Sequence, residues 1–215
     1  LSLSGYTVAQ GLQCVGLFYL QAVSVTFILN FTPIIVLVLG IIALGERPTR
    51  LQLSGTVLVL LGAYLFFNAP MSGSSLTGVL ITLLSGLGWA AYLVLSRLLF
   101  IKGEVNTLGL TAFTMGFGTL ILAIAAYSVE GLTRVMLYSW GIIFWLGVIN
   151  TALAFFLWNH ALRKLGAFEI SILQNTMLIQ IALLSWFFLG ERLTSVKVIS
   201  MVLVFVGVLI VQLKM

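Results

Sequence analysis

The chain is a succession of apolar runs, each long enough to cross a lipid bilayer, and this bounds every fold open to it. Eight runs can be traced, at about 2–20, 23–44, 51–68, 76–99, 107–128, 140–162, 168–189 and 195–213. A helix needs about 20 apolar residues to traverse the hydrocarbon core. Inside that core a segment must satisfy its own backbone, which leaves helices or a closed barrel. A barrel would alternate apolar and polar residues in stretches of about ten, and the run from Val196 to Leu213 does not alternate. The expected fold is all-α, a polytopic transmembrane helical bundle. Composition agrees: 61% of the 215 residues are hydrophobic and 7% are charged, against about 25% charged in a soluble domain.

The net charge of +5 is not a nucleic-acid footprint, because the ten Lys and Arg sit between the apolar runs. They report topology instead. With the first span starting in the cytoplasm, Arg47, Arg50, Arg97, Lys102, Arg163, Lys164 and Lys214 fall on the cytoplasmic side and Arg134, Arg192 and Lys197 on the other, seven against three. The expectation is a multi-pass protein of the cell membrane with a cytoplasmic C-terminus. Cys14 is the sole cysteine, which excludes an intrachain disulfide and a cysteine-built zinc site; a buried, inert thiol is expected. One His, one Cys and no clustered acids leave little for a membrane-embedded enzyme to work with. No phosphate-binding loop or dinucleotide fingerprint occurs, so no cofactor is expected.

Shifted by 145 residues, the sequence matches itself without a gap. Leu44-Gly45-Glu46-Arg47 falls on Leu189-Gly190-Glu191-Arg192, Asn30 on Asn175, Thr49 on Thr194 and Gly62 on Gly207, and 14 of the 49 positions from Leu20 to Asn68 are identical. Shared apolar composition inflates such a count, but it does not account for a run holding Glu and Arg. Glu46 follows the second span and Glu191 the seventh, so five spans separate them. An odd number places the two copies on opposite sides of the membrane, which is the inverted-topology repeat of many secondary transporters.

The stretch from Thr151 to Leu162, with Ala167, Ile170-Ser171, Leu189-Gly190-Glu191-Arg192 and Gly207, resembles the second repeat of EamA-type proteins of the drug/metabolite transporter superfamily. Ala22, Pro33, Leu44-Gly45-Glu46-Arg47, Gly55 and Gly62 resemble the first. The resemblance implies ten spans, five per repeat. Residues 1–70 would then be the last three helices of the first repeat and 76–215 the whole of the second, with two spans preceding the present first residue. It also implies export or exchange of a metabolite through a cavity between the halves. Two positions depart from the pattern. Pro33 is matched by Leu178, which sets the symmetry of a kink in question, and Gly55 is matched by Ser200, which predicts looser packing at the last span.

Polar side chains within a span are costly unless they find partners or water. Asn30 and Asn175 are placed by the repeat at equivalent depths on opposite sides of the midplane, either facing a solute or bonding between helices. Gln10 and Gln13 lie at i and i+3 and share a face. Trp89 and Tyr92 have the same spacing and could stack on a solute. Asn150, inside the sixth span, completes the candidate binding set. Gln174 and Gln180 lie on the helix of Asn175 at angles that do not all share one narrow face. Tyr138 and Trp140 fit an interfacial belt, and Trp145 and Trp158 fit lipid or core contact. His160 belongs beside Arg163 and Lys164 at a span end. Glu46 and Glu191 admit proton coupling or simple pairing with an Arg. Since no charged residue sits at the centre of a span, neutral, zwitterionic or amphiphilic solutes such as amino acids or drugs are expected. A nucleotide-sugar-type exchanger, a non-transporting scaffold and an inactive fragment are the alternatives. The expected partners are a small-molecule solute, membrane lipid and a second copy in a homodimer, with no nucleic acid.

Overall fold

The structure, a computed structural model, describes residues 1–67, 75–103, 105–130, 136–189 and 194–213. A π-helix, Ser2–Gln10, leads into α1 (Gly11–Tyr19). Then follow α2 (Ala22–Leu29), α3 (Thr32–Leu44), α4 (Arg50–Phe67), α5 (Leu76–Lys102), α6 (Thr107–Glu130) and α7 (Leu137–Trp145). A second π-helix, Leu146–Leu153, joins α7 to α8 (Ala154–Lys164). A 3-10 turn, Gln174–Thr176, separates α9 (Ala167–Leu173) from α10 (Met177–Leu189), and α11 (Ser195–Gln212) ends the chain. No strand occurs among the described residues. Among the described residues, seven helical runs are long and apolar enough to cross a membrane. The first expected span, 2–20, is the π-helix with α1.

Both repeats begin their last helix at an equivalent threonine. Gly45 stops α3 at φ +66°, a left-handed conformation that a side chain would strain. Thr49 and Gln52 then cap α4 reciprocally, the Thr49 N–H donating to Gln52 Oε1 at 2.9 Å and the Gln52 N–H to Thr49 Oγ1 at 3.2 Å. Thr194, the match of Thr49, caps α11 by accepting the Lys197 N–H at 3.4 Å. The corresponding Gly190, Glu191 and Arg192 lie outside the described residues, as do Arg134, Lys214 and the expected boundary loop except Ser75.

The equivalent helices α4 and α11 pack against each other, and their contact carries the symmetry. A Cβ on Gly55 would lie 2.7 Å from the Gly207 carbonyl oxygen, and one on Gly207 would lie 2.6 Å from that of Gly55. Likewise a Cβ on Gly62 would meet the Ser200 carbonyl at 2.9 Å and Val204 Cγ2 at 2.8 Å, while one on Gly207 would meet Val59 Cγ2 at 2.7 Å. Gly55–Gly207 and Gly62–Ser200 are images of one another under exchange of the repeats. The partner numbers rise on one helix as they fall on the other, so the two helices are antiparallel. The fold is thus a helical bundle with an inverted-topology repeat. Backbone meets backbone at this crossing, the close approach that small residues allow in membranes. Ser200 does not loosen it: the side chain is fully buried and its hydroxyl folds back onto the Val196 carbonyl at 2.7 Å, out of the interface.

The kink is symmetric although one proline is missing. The first copy breaks at Asn30-Phe31, just before Pro33 at the start of α3. The second tightens into the 3-10 turn at Gln174–Thr176 with Leu178 in place of proline. There the Thr176 hydroxyl donates to the Leu173 carbonyl at 2.7 Å, the local competition with the helix that short polar side chains offer. Cys14 is not buried. It lies on an exposed stretch of α1 with Val15, Leu17 and Phe18.

The core centres on α5. Tyr6 of the first π-helix seats against Gly118 of α6, and Tyr92 of α5 fills the space beside Gly5. Around them Val36, Leu93, Leu162 and Ile170 form one buried cluster. Residues 141–150 are all exposed, as an apolar face turned toward lipid would be.

Candidate functional site

A cavity of about 280 Å³ lies where the broken spans meet α1 and α5. Its lining follows the repeat. Thr26 and Ser171, Leu29 and Gln174, Asn30 and Asn175, Thr32 and Met177, and Pro33 and Leu178 all line it, and each pair is 145 positions apart. Gln10 and Phe155 add a sixth such pair. A cavity whose walls exchange under the repeat operation lies on the axis that relates the halves.

The two asparagines differ in how they are held. Asn30 Nδ2 donates to the Thr26 carbonyl at 2.7 Å, leaving the side-chain oxygen as an acceptor. Pro33 has no N–H to give the Leu29 carbonyl one turn back, so this break adds a further acceptor. Asn175 is 1% exposed, and its Oδ1 has no hydrogen-bond partner. A buried polar atom left unpaired is costly, and here it belongs to a residue on the cavity wall.

Trp89 forms a fixed wall. Its indole N–H donates to Gln174 Oε1 at 3.0 Å. Its ring stacks on Tyr92 with centroids 5.5 Å apart and 18° between planes, and meets Phe155 edge-on at 5.8 Å. Tyr92 itself is fully buried behind Trp89 and does not line the cavity. Its hydroxyl donates to Asn159 Oδ1 at 3.0 Å and accepts from Asn159 Nδ2 at 2.8 Å, and that Nδ2 also donates to Thr111 Oγ1 at 3.0 Å.

Of the seven residues singled out from the sequence, the cavity gathers Gln10, Gln13, Asn30, Trp89 and Asn175. Tyr92 backs the wall, and Asn150 lies apart on the exposed 141–150 face. The π-helix from Leu146 to Leu153 carries Asn150 outward. Gln174, which was not among the candidate residues, both lines the cavity and holds Trp89; the 3-10 turn draws it beside Asn175. Gln180 is exposed. Thr26 and Ser171 gave no signal of their own, since hydroxyls within apolar spans commonly bond back to the helix. No charged residue lines this cavity among the described residues. Nor do these hold a group of three or more His, Cys, Asp or Glu that could bind a metal.

A second cavity, of about 320 Å³, lies toward the far end of α3 and α5. Glu46 Oε1 stands 3.5 Å from Arg97 Nε, so Glu46 pairs across helices and not with its neighbour Arg47. Arg97 also donates through Nη1 to the carbonyls of Leu162 and Arg163, at 3.1 and 2.8 Å, at the end of α8. Glu169, 8% exposed, accepts from the Gly166 N–H at 3.0 Å and from Gln52 Nε2 at 3.2 Å. It stands in the first turn of α9, where the helix dipole favours an acid, and this placement could have drawn attention to it. His160 is exposed, its ring 6.4 Å from that of Phe156.

The chain belongs to the EamA-like transporter family, which it matches over residues 1–68 and again over 76–213. It is therefore an integral, multi-pass membrane protein of a transporter family. Among curated proteins it is 27% identical to the uncharacterized transporter YyaM of Bacillus subtilis (strain 168) over 203 residues, covering 91% of this chain and 66% of that protein. It is 25% identical to a WAT1-related protein of Arabidopsis thaliana, covering 98% of this chain and 63% of that one. The chain thus spans about two thirds of the length of these relatives. A solved crystal structure superposes with a TM-score of 0.78 at 17% identity, covering 98% of this chain and 75% of the other, which is a likeness of fold.

Proposed function

We propose that this chain forms the core of a secondary transporter that moves small neutral, zwitterionic or amphiphilic metabolites, amino acids among them, outward or in exchange by alternating access. The observation that carries the reading is the central cavity walled by six pairs of repeat-equivalent residues. Two like halves of opposite orientation can exchange conformations, and a site on their common axis then opens to each face in turn. Gln10, Gln13, Asn30, Trp89 and Asn175 are the proposed solute contacts, with Tyr92 supporting Trp89. Asn150 keeps a role only if the solute enters from its side of the bundle. A wall of amides, hydroxyls and aromatic rings suits a solute whose charges are absent or self-compensating. A nucleotide sugar would need cations that this wall lacks.

The test is counterflow of radiolabelled amino acids and of a wider metabolite panel into proteoliposomes holding the chain. Accumulation against unlabelled internal solute is expected, with loss on substituting Trp89. Failure of every solute, in vesicles where a longer homologue succeeds, would favour the non-transporting reading.

A further inference from the structure

The two cavities lie in series along the same three elements. On α3, Thr32 and Pro33 line the central cavity and Leu37 and Gly40 the second. On α5, Ser85 and Trp89 line the first and Arg97 the second. On the helix of Asn175, Ser171 lines the first, and Phe168 and Glu169 line the second. Between the linings sit Val36, Leu93 and Ile170, each at most 1% exposed and all in one buried cluster. From Pro33 to Leu37 is four residues and from Trp89 to Arg97 eight, about 6 and 12 Å along a helix, so the partition is roughly one to two turns thick.

We infer that the second cavity is the shut vestibule of the solute path, divided from the central cavity by the Val36–Leu93–Ile170 septum and held shut by the Glu46–Arg97 and Gln52–Glu169 contacts. The inference rests on the transport reading above. A dead-end pocket would have no reason to share its axis with the central cavity. Nor would it need polar contacts that tie the first copy of the repeat to the second. Glu46 and Gln52 belong to the first copy, and Arg97 and Glu169 follow in the second. Apolar side chains exclude water from the septum, while at its outer edge Glu46 and Arg97 are partly exposed, their side chains at 30% and 18%, and can take up water when they part; Glu169 beside them is buried. The closure is not symmetric. The positions equivalent to Gln52 and Glu169 are Lys197 and Ser24, which carry no carboxylate, so the same latch cannot form at the opposite end. Opening therefore means parting Glu46 from Arg97 and Gln52 from Glu169, and spreading the three apolar residues. The vestibule then joins the central cavity into one passage.

The experiment uses the chain in oriented vesicles, with Cys14→Ser as background and a membrane-impermeant thiosulfonate as probe. Gly40→Cys reports on the second cavity, since a Cβ there meets nothing within 4 Å, and Ser171→Cys reports on the central one. Applied from the Glu46 end, the probe should modify Gly40→Cys readily and Ser171→Cys slowly. Adding Glu46→Gln should speed modification of Ser171→Cys about fivefold, the upper range for loss of a partly exposed ion pair. Gln52→Ala, a milder change, should act in the same direction. If neither variant alters the Ser171→Cys rate while Gly40→Cys stays reactive, the second cavity is only a surface hollow and the inference fails. It fails equally if Gly40→Cys is inert from that end. The readout needs no solute: absent counterflow with the expected labelling would overturn the transport reading and leave the two-chamber path standing.

Discussion

Asn30 and Asn175 occupy the same register in two copies that run oppositely through the bundle, and both border one cavity. Each stands where its span leaves regular α geometry. Discontinuous helices at matching places in the two halves are where inverted-repeat transporters hold their solutes.

Asn175→Ala should weaken solute binding by about 1 kcal/mol, the worth of one hydrogen bond, seen as a several-fold rise in half-saturation for counterflow. It should not lower the melting temperature, because the amide oxygen it removes has no partner in the folded protein. A packing role would instead show as lost stability at unchanged half-saturation. Asn30→Ala should affect both, since Asn30 also ties down the Thr26 carbonyl.

Trp89 and Gln174 should behave as one unit. Trp89→Phe keeps a ring but loses the bond to Gln174, and Gln174→Ala removes the other partner. Each should reduce apparent solute affinity, and the double variant should lose less than the sum, with a coupling of about 1 kcal/mol. A double-mutant cycle on counterflow kinetics measures it, and strict additivity would rule the coupling out.

Asn159 should matter to stability far from any solute. Asn159→Ala leaves the buried Tyr92 hydroxyl and Thr111 Oγ1 without it, and should destabilise by about 2–3 kcal/mol. Tyr92→Phe should be milder, near 1 kcal/mol. Unfolding in detergent followed by tryptophan fluorescence would rank the two variants.

Gly207→Ala should destabilise by about 1–3 kcal/mol through overpacking, because its Cβ would sit 2.6 Å from the Gly55 carbonyl oxygen. Gly116→Ala, also helical but with nothing within 4 Å of its Cβ, should be neutral or slightly stabilising. The contrast is read from thermal denaturation of the two variants under one condition.

Thr49→Cys and Thr194→Cys, each in a Cys14→Ser background, should react with an impermeant maleimide from opposite faces of the membrane. Reaction from the same face would contradict the inverted repeat.

The spans were legible because hydrocarbon demands long apolar runs, and the repeat was legible because Leu-Gly-Glu-Arg occurs twice at a fixed offset. The asparagine pair followed from that offset alone. Gln174 was harder to place: ideal helical angles set it away from Asn175, and only the tightened turn brings it round. Asn150 lies apart from the cavity on the exposed 141–150 face, which the sequence could not foresee, because an amide inside a span looks alike whether it faces a cavity or an outer surface. Tyr92 shares a helix face with Trp89, yet helical spacing could not say which of the two would reach the open space and which would be sealed behind it. The two departures from the repeat, Leu178 and Ser200, foretold asymmetries that did not form, since polar side chains broke the second helix without proline and the Ser200 hydroxyl turned back on its own helix.

Where α4 crosses α11, Gly55 and Gly207 each turn a bare α-carbon toward the other's carbonyl oxygen, with Val59 and Val211 closing in on either side. The crossing also maps onto itself when the halves trade places. Under the proposed alternating access this crossing is the natural fulcrum, and the halves would open by tilting about it.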